Sequence, residues 1–295
     1  MAEPLSVAVR RGEILESVHR VHAVAVREGE IVAEAGNPSL SASLRSSAKP
    51  IQALPLARAR TDLTTENLAI ASASHFGTEM HVEAVRDLLR ATGGSQDELE
   101  CGLQPGRPPE PIYHNCSGKH AAMIAVCRER GWPVEGYFRP NHPLQLELVD
   151  LVADAAGMTS GEAETGIDGC GVVCFAIPLE RAAFAFSQFE RLEAGNSIAD
   201  AMRARPDLVG GDGGTDTELM RLLPGWIAKG GAEGLMCTAS GDGLGIALKA
   251  ADGNSRALRP ALAAFAAELG ADLSAFAEVP LQNARGERVG AVSNL

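Results

Sequence analysis

The stretch His19-Arg20-Val21-His22-Ala23-Val24-Ala25-Val26 constrains this chain more than any other. In an extended strand alternate side chains point to opposite faces, so Val21, Ala23 and Ala25 share one face and His22, Val24 and Val26 the other. Both faces are then largely apolar, which suits a strand covered on both sides. Such a strand needs neighbours, and the sequence offers them at both ends. Ser6 to Arg11 and Gly12 to Ser17 precede it, and Glu30 to Gly36 follows, with turn-like Arg11-Gly12 and Glu28-Gly29 between them. Far downstream, Gly234 to Ser240 and Leu244 to Gly253 flank Gly241-Asp242-Gly243, a hairpin signal, and Arg288 to Ser293 reads as a last strand.

The middle has helical spacing. Helices are expected from Ser46 to Arg58, kinked or ended by Pro55, and over Glu79 to Thr92, Ser117 to Arg130, Leu144 to Ala156, 213 to 223 and 260 to 270. Strands at both ends around a helical middle predict an α+β fold. One antiparallel sheet is built from residues 1–40 and 232–295, and the helices of 41–231 are inserted between, all within a single domain spanning 1–295.

Composition narrows the function. With 26 basic and 38 acidic side chains the formal charge is −12, which argues against nucleic acid or an anionic membrane as partner. The first residues lack the basic-then-apolar pattern of a secretory leader, and no run reaches the roughly 18 apolar residues of a membrane helix, so a soluble, cytoplasmic protein is expected. Six cysteines in 295 residues are no disulfide framework. Cys101, Cys127, Cys174 and Cys237 read as small buried hydrophobes.

Four segments carry possible chemistry. In Arg45-Ser46-Ser47-Ala48-Lys49, Ser46 and Lys49 stand at i and i+3 on one helix face. A serine hydroxyl needs a base beside it, and a lysine in apolar surroundings becomes one; a capping serine beside a surface lysine is the bland alternative. Ser74-His75 follows the apolar run Leu68 to Ala71, Ser74 offering a second hydroxyl and His75 a base, a ligand or a satisfied core histidine. Asn115-Cys116-Ser117-Gly118-Lys119-His120 and Asp168-Gly169-Cys170 form two dense polar clusters. Asp168 beside Gly169 suits a substrate ammonium, whereas Cys116 and Cys170, isolated from each other in sequence, give only a weak zinc signal by spacing. Lys249 ends the strand segment Gly243 to Leu248, where it is either an exposed strand-end lysine or one facing a site; the K-T-G of penicillin-recognising enzymes is absent there.

Taken with Glu16-Ser17-Val18-His19-Arg20, Gly36-Asn37-Pro38 and Gly243 to Gly253, these motifs give a sequence that resembles the rhizobial-type, thermolabile L-asparaginases, often labelled "asparaginase II". Their order is kept over about residues 13 to 253, and the Asn115-to-His120 stretch is the most specific part. The resemblance implies a serine β-lactamase-like fold and two serine–lysine pairs, Ser46 with Lys49 and Ser74 with Lys249. It implies a zinc ion on Cys116, Lys119 and Cys170, substrate contacts from Arg45, His75, Asn115, Lys119, Asp168 and Gly169, and a homodimer. The expected reaction is hydrolysis of L-asparagine to L-aspartate and ammonia, with Ser46 as nucleophile. The rivals are an amidase for another small amide and a zinc-containing amino-acid-binding protein without turnover.

Overall fold

Three strands open the chain: β1 (Leu5–Arg11), β2 (Ile14–Arg27) and β3 (Glu30–Ala35). The β2–β3 turn places Glu28 and Gly29 at φ 52° and 86°, the doubly positive pattern of a tight hairpin that follows strand twist. In this computed structural model, which describes residues 2–295, a short β4 (Ser41–Ser43) leads into a 3₁₀ turn, Arg45–Ala48, and then the helices α1 (Lys49–Ala59), α2 (Thr65–Ala71), α3 (Glu79–Ala91), α4 (Ser117–Arg130) and α5 (Pro143–Ala155). Strands β5 (Glu164–Ile167) and β6 (Val173–Pro178) pair with β4 in a small second sheet. Helices α6 (Leu179–Gln188), α7 (Gly195–Ala204), α8 (Pro206–Val209) and α9 (Thr215–Leu222) follow. The chain closes with β7 (Trp226–Gly231), β8 (Leu235–Ser240), β9 (Leu244–Ala250), α10 (Leu258–Glu268), β10 (Glu278–Gln282) and β11 (Arg288–Asn294).

The large sheet runs β10-β11-β1-β2-β9-β8-β7, with β3 also on β2, and its pairings are all antiparallel. The fold is α+β, as the sequence predicts. Both termini feed one sheet: β1 pairs directly with the C-terminal β11, and β2 ties that half to the rest, its first half pairing with β1 and its second half with β9. In that second half both faces are buried, Val21, Ala23 and Ala25 on one and Val24 and Val26 on the other. Helix α6 packs on β9 and β2 so closely that a Cβ on Gly245 would sit 2.1 Å from the Ala183 carbonyl oxygen. The first half of β2 is different, with Ile14, Leu15 and Val18 exposed.

Two expectations need correction. Helix α1 passes through Pro55 and ends only at Ala59, because it is buried along almost its whole length and packing by Ile51, Leu54 and Leu56 outweighs one lost backbone bond. The sheet also begins earlier than 232. Trp226–Gly231 is an edge strand, and it matters for the site. Among the described residues no helix is long and apolar enough to cross a membrane.

Candidate active site

Lys49 is the first residue of α1 and is 1% exposed. Its ammonium donates to the Ala73 carbonyl at 2.6 Å, the Ser74 hydroxyl at 2.9 Å and the Asn115 carbonyl at 3.3 Å. No carboxylate pairs with it among the described residues. Burial pulls the amine down to about 8; Cys116 opposes the shift, and Lys119 and Lys229 add to it. A lysine in this state supplies a neutral amine near neutral pH, which is what a serine hydroxyl needs in a base.

The Ser46 turn is fixed by its neighbours. Ser47 Oγ donates to the Lys229 carbonyl at 2.8 Å, and Leu44 N donates to the Phe175 carbonyl at 2.7 Å. A Cβ on Gly231 would lie 2.6 Å from the Leu44 carbonyl oxygen, so β7 can lie against this turn only because glycine stands there. Arg45, just before Ser46, has φ 45°, a conformation an L side chain rarely takes. Its guanidinium is anchored on Asp168 Oδ1, through Nε at 2.9 Å and Nη2 at 2.8 Å, and Gly169 N donates to the same oxygen.

Ser46, Ser74 and Asn115 line one cavity of about 400 Å³ together with Phe76, the loop 210–216, the β7 residues Lys229 to Gly231, and Met236, Ser255 and Leu258. A larger hollow of about 500 Å³ beside α10 is walled mainly by alanines, with Asp272 its single ionisable side chain, and holds no chemistry.

Of the residues expected in the site, then, Ser46, Ser74 and Asn115 meet on one wall with Lys49 immediately behind. Arg45, Asp168 and Gly169 form a separate ion-paired group that is not on the cavity wall. His75 lies in the core: Gly77 N donates to its Nδ1 at 3.0 Å, so Nε2 carries the proton and donates to Ser117 Oγ at 2.9 Å. Burial pushes its pKa well below the ordinary value. His75 is thus buried, with both ring nitrogens hydrogen-bonded within the protein.

Lys249 is a correction. It faces neither the cavity nor Ser74; its ammonium donates to the carbonyls of Glu233 at 2.7 Å and Ala250 at 2.6 Å. The cause is register, since β9 is an interior strand opposite His22 and Leu235 while the strand bordering the cavity is the edge strand β7. The lysine there is Lys229, fully buried, with Nζ 2.9 Å from Asp216 Oδ2. Two signals mark it in the sequence. Lys229-Gly230-Gly231 has the lysine–x–glycine form of K-T-G, and the chain contains only four lysines, Lys49, Lys119, Lys229 and Lys249.

Behind the cavity, Asn115 links the lysine to a thiol cluster: its carbonyl accepts from Lys49, and its Oδ1 lies 3.2 Å from Cys116 Sγ. Lys119 Nζ lies 3.1 Å from Cys170 Sγ. The Cys116 thiol is held well below its usual range, first by Cys170 and then by the nearby ammonium groups, while Cys170 is pushed up by that same contact and by burial. Lys119 stays above its ordinary value because the two thiols outweigh its burial. Gly118 lets α4 approach α2, since a Cβ there would sit 2.1 Å from the Ile70 carbonyl oxygen. Among the described residues no three His, Cys, Asp or Glu side chains converge as a metal cage. Two thiols and an amine do meet, and with the lysine deprotonated that donor set fits a soft divalent ion such as zinc.

Comparison with known proteins adds the following. The family described as L-asparaginase II matches residues 7–294. No curated protein matches the chain. Among solved structures it is similar to Mglu in its native form in the presence of 4.3 M NaCl, at 12% identity and TM-score 0.48; the match covers 86% of this chain and 62% of that one. It is also similar to a putative beta-lactamase from Bacteroides dorei DSM 17855, at 14% identity, TM-score 0.46 and 83% and 93% coverage. A beta-lactamase from Mycobacterium bovis, Mb2281c, matches at 16% identity, TM-score 0.35 and 87% and 94% coverage.

Proposed function

Since the chain belongs to the L-asparaginase II family, we propose that it hydrolyses the side-chain amide of L-asparagine to L-aspartate and ammonia by serine–lysine catalysis. The observation that carries this reading is the Lys49 amine, buried without a counter-ion and 2.9 Å from Ser74 Oγ, on the cavity that Ser46 also lines.

Ser46 Oγ attacks the amide carbon, and its proton passes through the Ser74 hydroxyl to the neutral Lys49 amine. The new C–O bond creates a tetrahedral oxyanion, which the Lys229 ammonium and backbone N–H groups of the cavity wall stabilise. Lys49 then gives its proton to the amide nitrogen, the C–N bond breaks and ammonia leaves. Water attacks the aspartyl ester, again deprotonated by Lys49, and the ester C–O bond breaks to free aspartate and restore Ser46. Cys116, Cys170 and Lys119 would hold zinc, whose positive charge when bound supplies a fixed anchor for the Asn115-to-Lys119 segment. These residues keep the Asn115 carbonyl on Lys49, and that is their service to the reaction.

The test is ammonia release from L-asparagine by purified protein, with L-glutamine and D-asparagine alongside and Ser46→Ala as control. Release selective for L-asparagine and lost in the control is the expected result. Folded protein that binds L-asparagine yet releases no ammonia from any of them overturns it and leaves a binding protein.

A further inference from the structure

Lys229, on the cavity wall, and Lys49, behind it, have opposite surroundings. Lys49 has three uncharged oxygen partners and no carboxylate. Lys229 has a carboxylate at 2.9 Å, that of Asp216, and a second bond to the Gly230 carbonyl at 3.1 Å. Asp216 Oδ2 also accepts from Gly230 N at 3.2 Å, so it binds both the side chain and the backbone of the same short stretch of β7. Asp216 lies on the first turn of α9 with its side chain 14% exposed, and it lines the cavity with Lys229.

We propose that Asp216 is a positioning residue that holds the Lys229 side chain on the cavity wall through their 2.9 Å ion pair, so that the Lys229 charge is placed for the reaction while Lys49 acts as the base. This rests on the amide-hydrolysis reading above. The surroundings of Lys229 support it from every side. Asp216 reaches it from α9. Ser47 Oγ, from the 3₁₀ turn, takes the Lys229 carbonyl. Cys237, its partner on β8, has a thiol pushed up to about 12 by burial and is uncharged. Lys49, from α1, is the other charged group that feels it, and Lys229 helps to lower that amine. Burial pushes the Asp216 carboxyl up, but the Lys229 ammonium and the Gly230 N–H outweigh it, so the carboxylate persists. Asp216 thus acts through Lys229 and needs no contact with substrate.

The test compares kcat against pH for wild type, Asp216→Asn, Lys229→Met and the double variant, with thermal unfolding of each. In wild type, kcat rises once through the Lys49 ionisation and levels off. In Asp216→Asn it should fall by about 10²-fold with little change in KM, as for loss of a preorganised charge. On the Lys229→Met background, adding Asp216→Asn should change kcat by less than about twofold. A near-wild-type kcat in Asp216→Asn, or an equal loss on both backgrounds, overturns the proposal. Should Asp216→Asn fail to fold, Asp216→Glu takes its place: it keeps the carboxylate but moves it, so kcat should fall on the wild-type background and not on Lys229→Met, and an equal loss on both overturns the proposal. A second readout is independent of turnover. With only four lysines in the chain, side-chain NMR resolves each ammonium. The Lys229 ammonium signal should move in Asp216→Asn while that of Lys249 stays in place, and an unmoved Lys229 signal overturns the ion pair. Protein that hydrolyses no amide but shows this lysine behaviour removes the functional reading and keeps the ion-pair assignment.

Discussion

The Lys49 ammonium lies 2.9 Å from the Ser74 hydroxyl and 2.6 Å from the Ala73 carbonyl, with its side chain sealed inside α1. An amine so placed loses more from burial than its three neutral acceptors return, which is why it sits at about 8. Replacing Lys49 with Met keeps much of the volume and removes the base. The expected outcome is a fall in ammonia release of at least about 10²-fold in protein that retains its native circular dichroism. Near-normal turnover in that variant would exclude Lys49 as the base.

The same burial sets a pH dependence of stability. The folded chain holds Lys49 at about 8 and the unfolded chain near 10.5, so between those values the unfolded state binds more protons and stability rises with pH. Below pH 8 the folded protein bears the whole cost, about 3 kcal/mol on the scale of 1.36 kcal/mol per unit. Lys49→Met has no such group. Its Tm relative to wild type should therefore be highest near pH 7 and decline steadily toward pH 10. Differential scanning fluorimetry across that range checks the trend, and a difference that does not change with pH contradicts the assignment.

Glycine at 231 is a requirement of close approach. Its backbone lies against Leu44 and Ser47 so tightly that a Cβ would stand 2.6 Å from a carbonyl oxygen and 3.0 Å from Ser47 Oγ. Gly231→Ala must push β7, and Lys229 with it, away from the Ser46 turn. The expected result is a stability loss of about 1–3 kcal/mol, as for overpacking, together with a drop in kcat larger than the loss of folded protein explains. Gly161→Ala, where a Cβ meets nothing within 4 Å, is the control and should leave both unchanged.

The sheet was readable from the sequence because β2 advertises itself: a run apolar on both faces can lie only in the middle of something. The Ser46–Lys49 spacing was equally readable, since it is local to one turn. Lys229 was not, because its role depends on which strand ends up at the sheet edge. Lys249 lies in the stronger strand pattern, yet β9 is interior, and the weaker Trp226–Gly231 segment takes the edge and the cavity. Asp168 shows the same limit. Its flanking glycines suggest a ligand site, but spacing gives no hint that its carboxylate pairs with the distant Arg45, whose backbone lies at positive φ. Sequence spacing records which residues can be neighbours along one element, while strand order and the ion pairs across elements are settled only by packing.

The thiol cluster gives the last prediction. Cys116, Cys170 and Lys119 come from two separated segments, yet they meet in a buried spot, with Lys119 Nζ 3.1 Å from Cys170 Sγ. We propose a soft divalent ion as the partner of this amine and two thiols, a donor set that suits one. Protein purified and dialysed against metal-free buffer should retain close to one zinc per chain by mass spectrometry. Cys170→Ser should lose it, while Cys127→Ser, a buried thiol outside the cluster, should not. The Asn115 carbonyl on Lys49 is the link to catalysis, because Asn115 directly precedes Cys116 in the chain. Loss of the metal should therefore lower kcat as well as Tm, and zinc added back should restore both in wild type but not in Cys170→Ser. Wild-type protein without zinc but with full activity would show that the cluster holds itself together as a thiolate–ammonium pair.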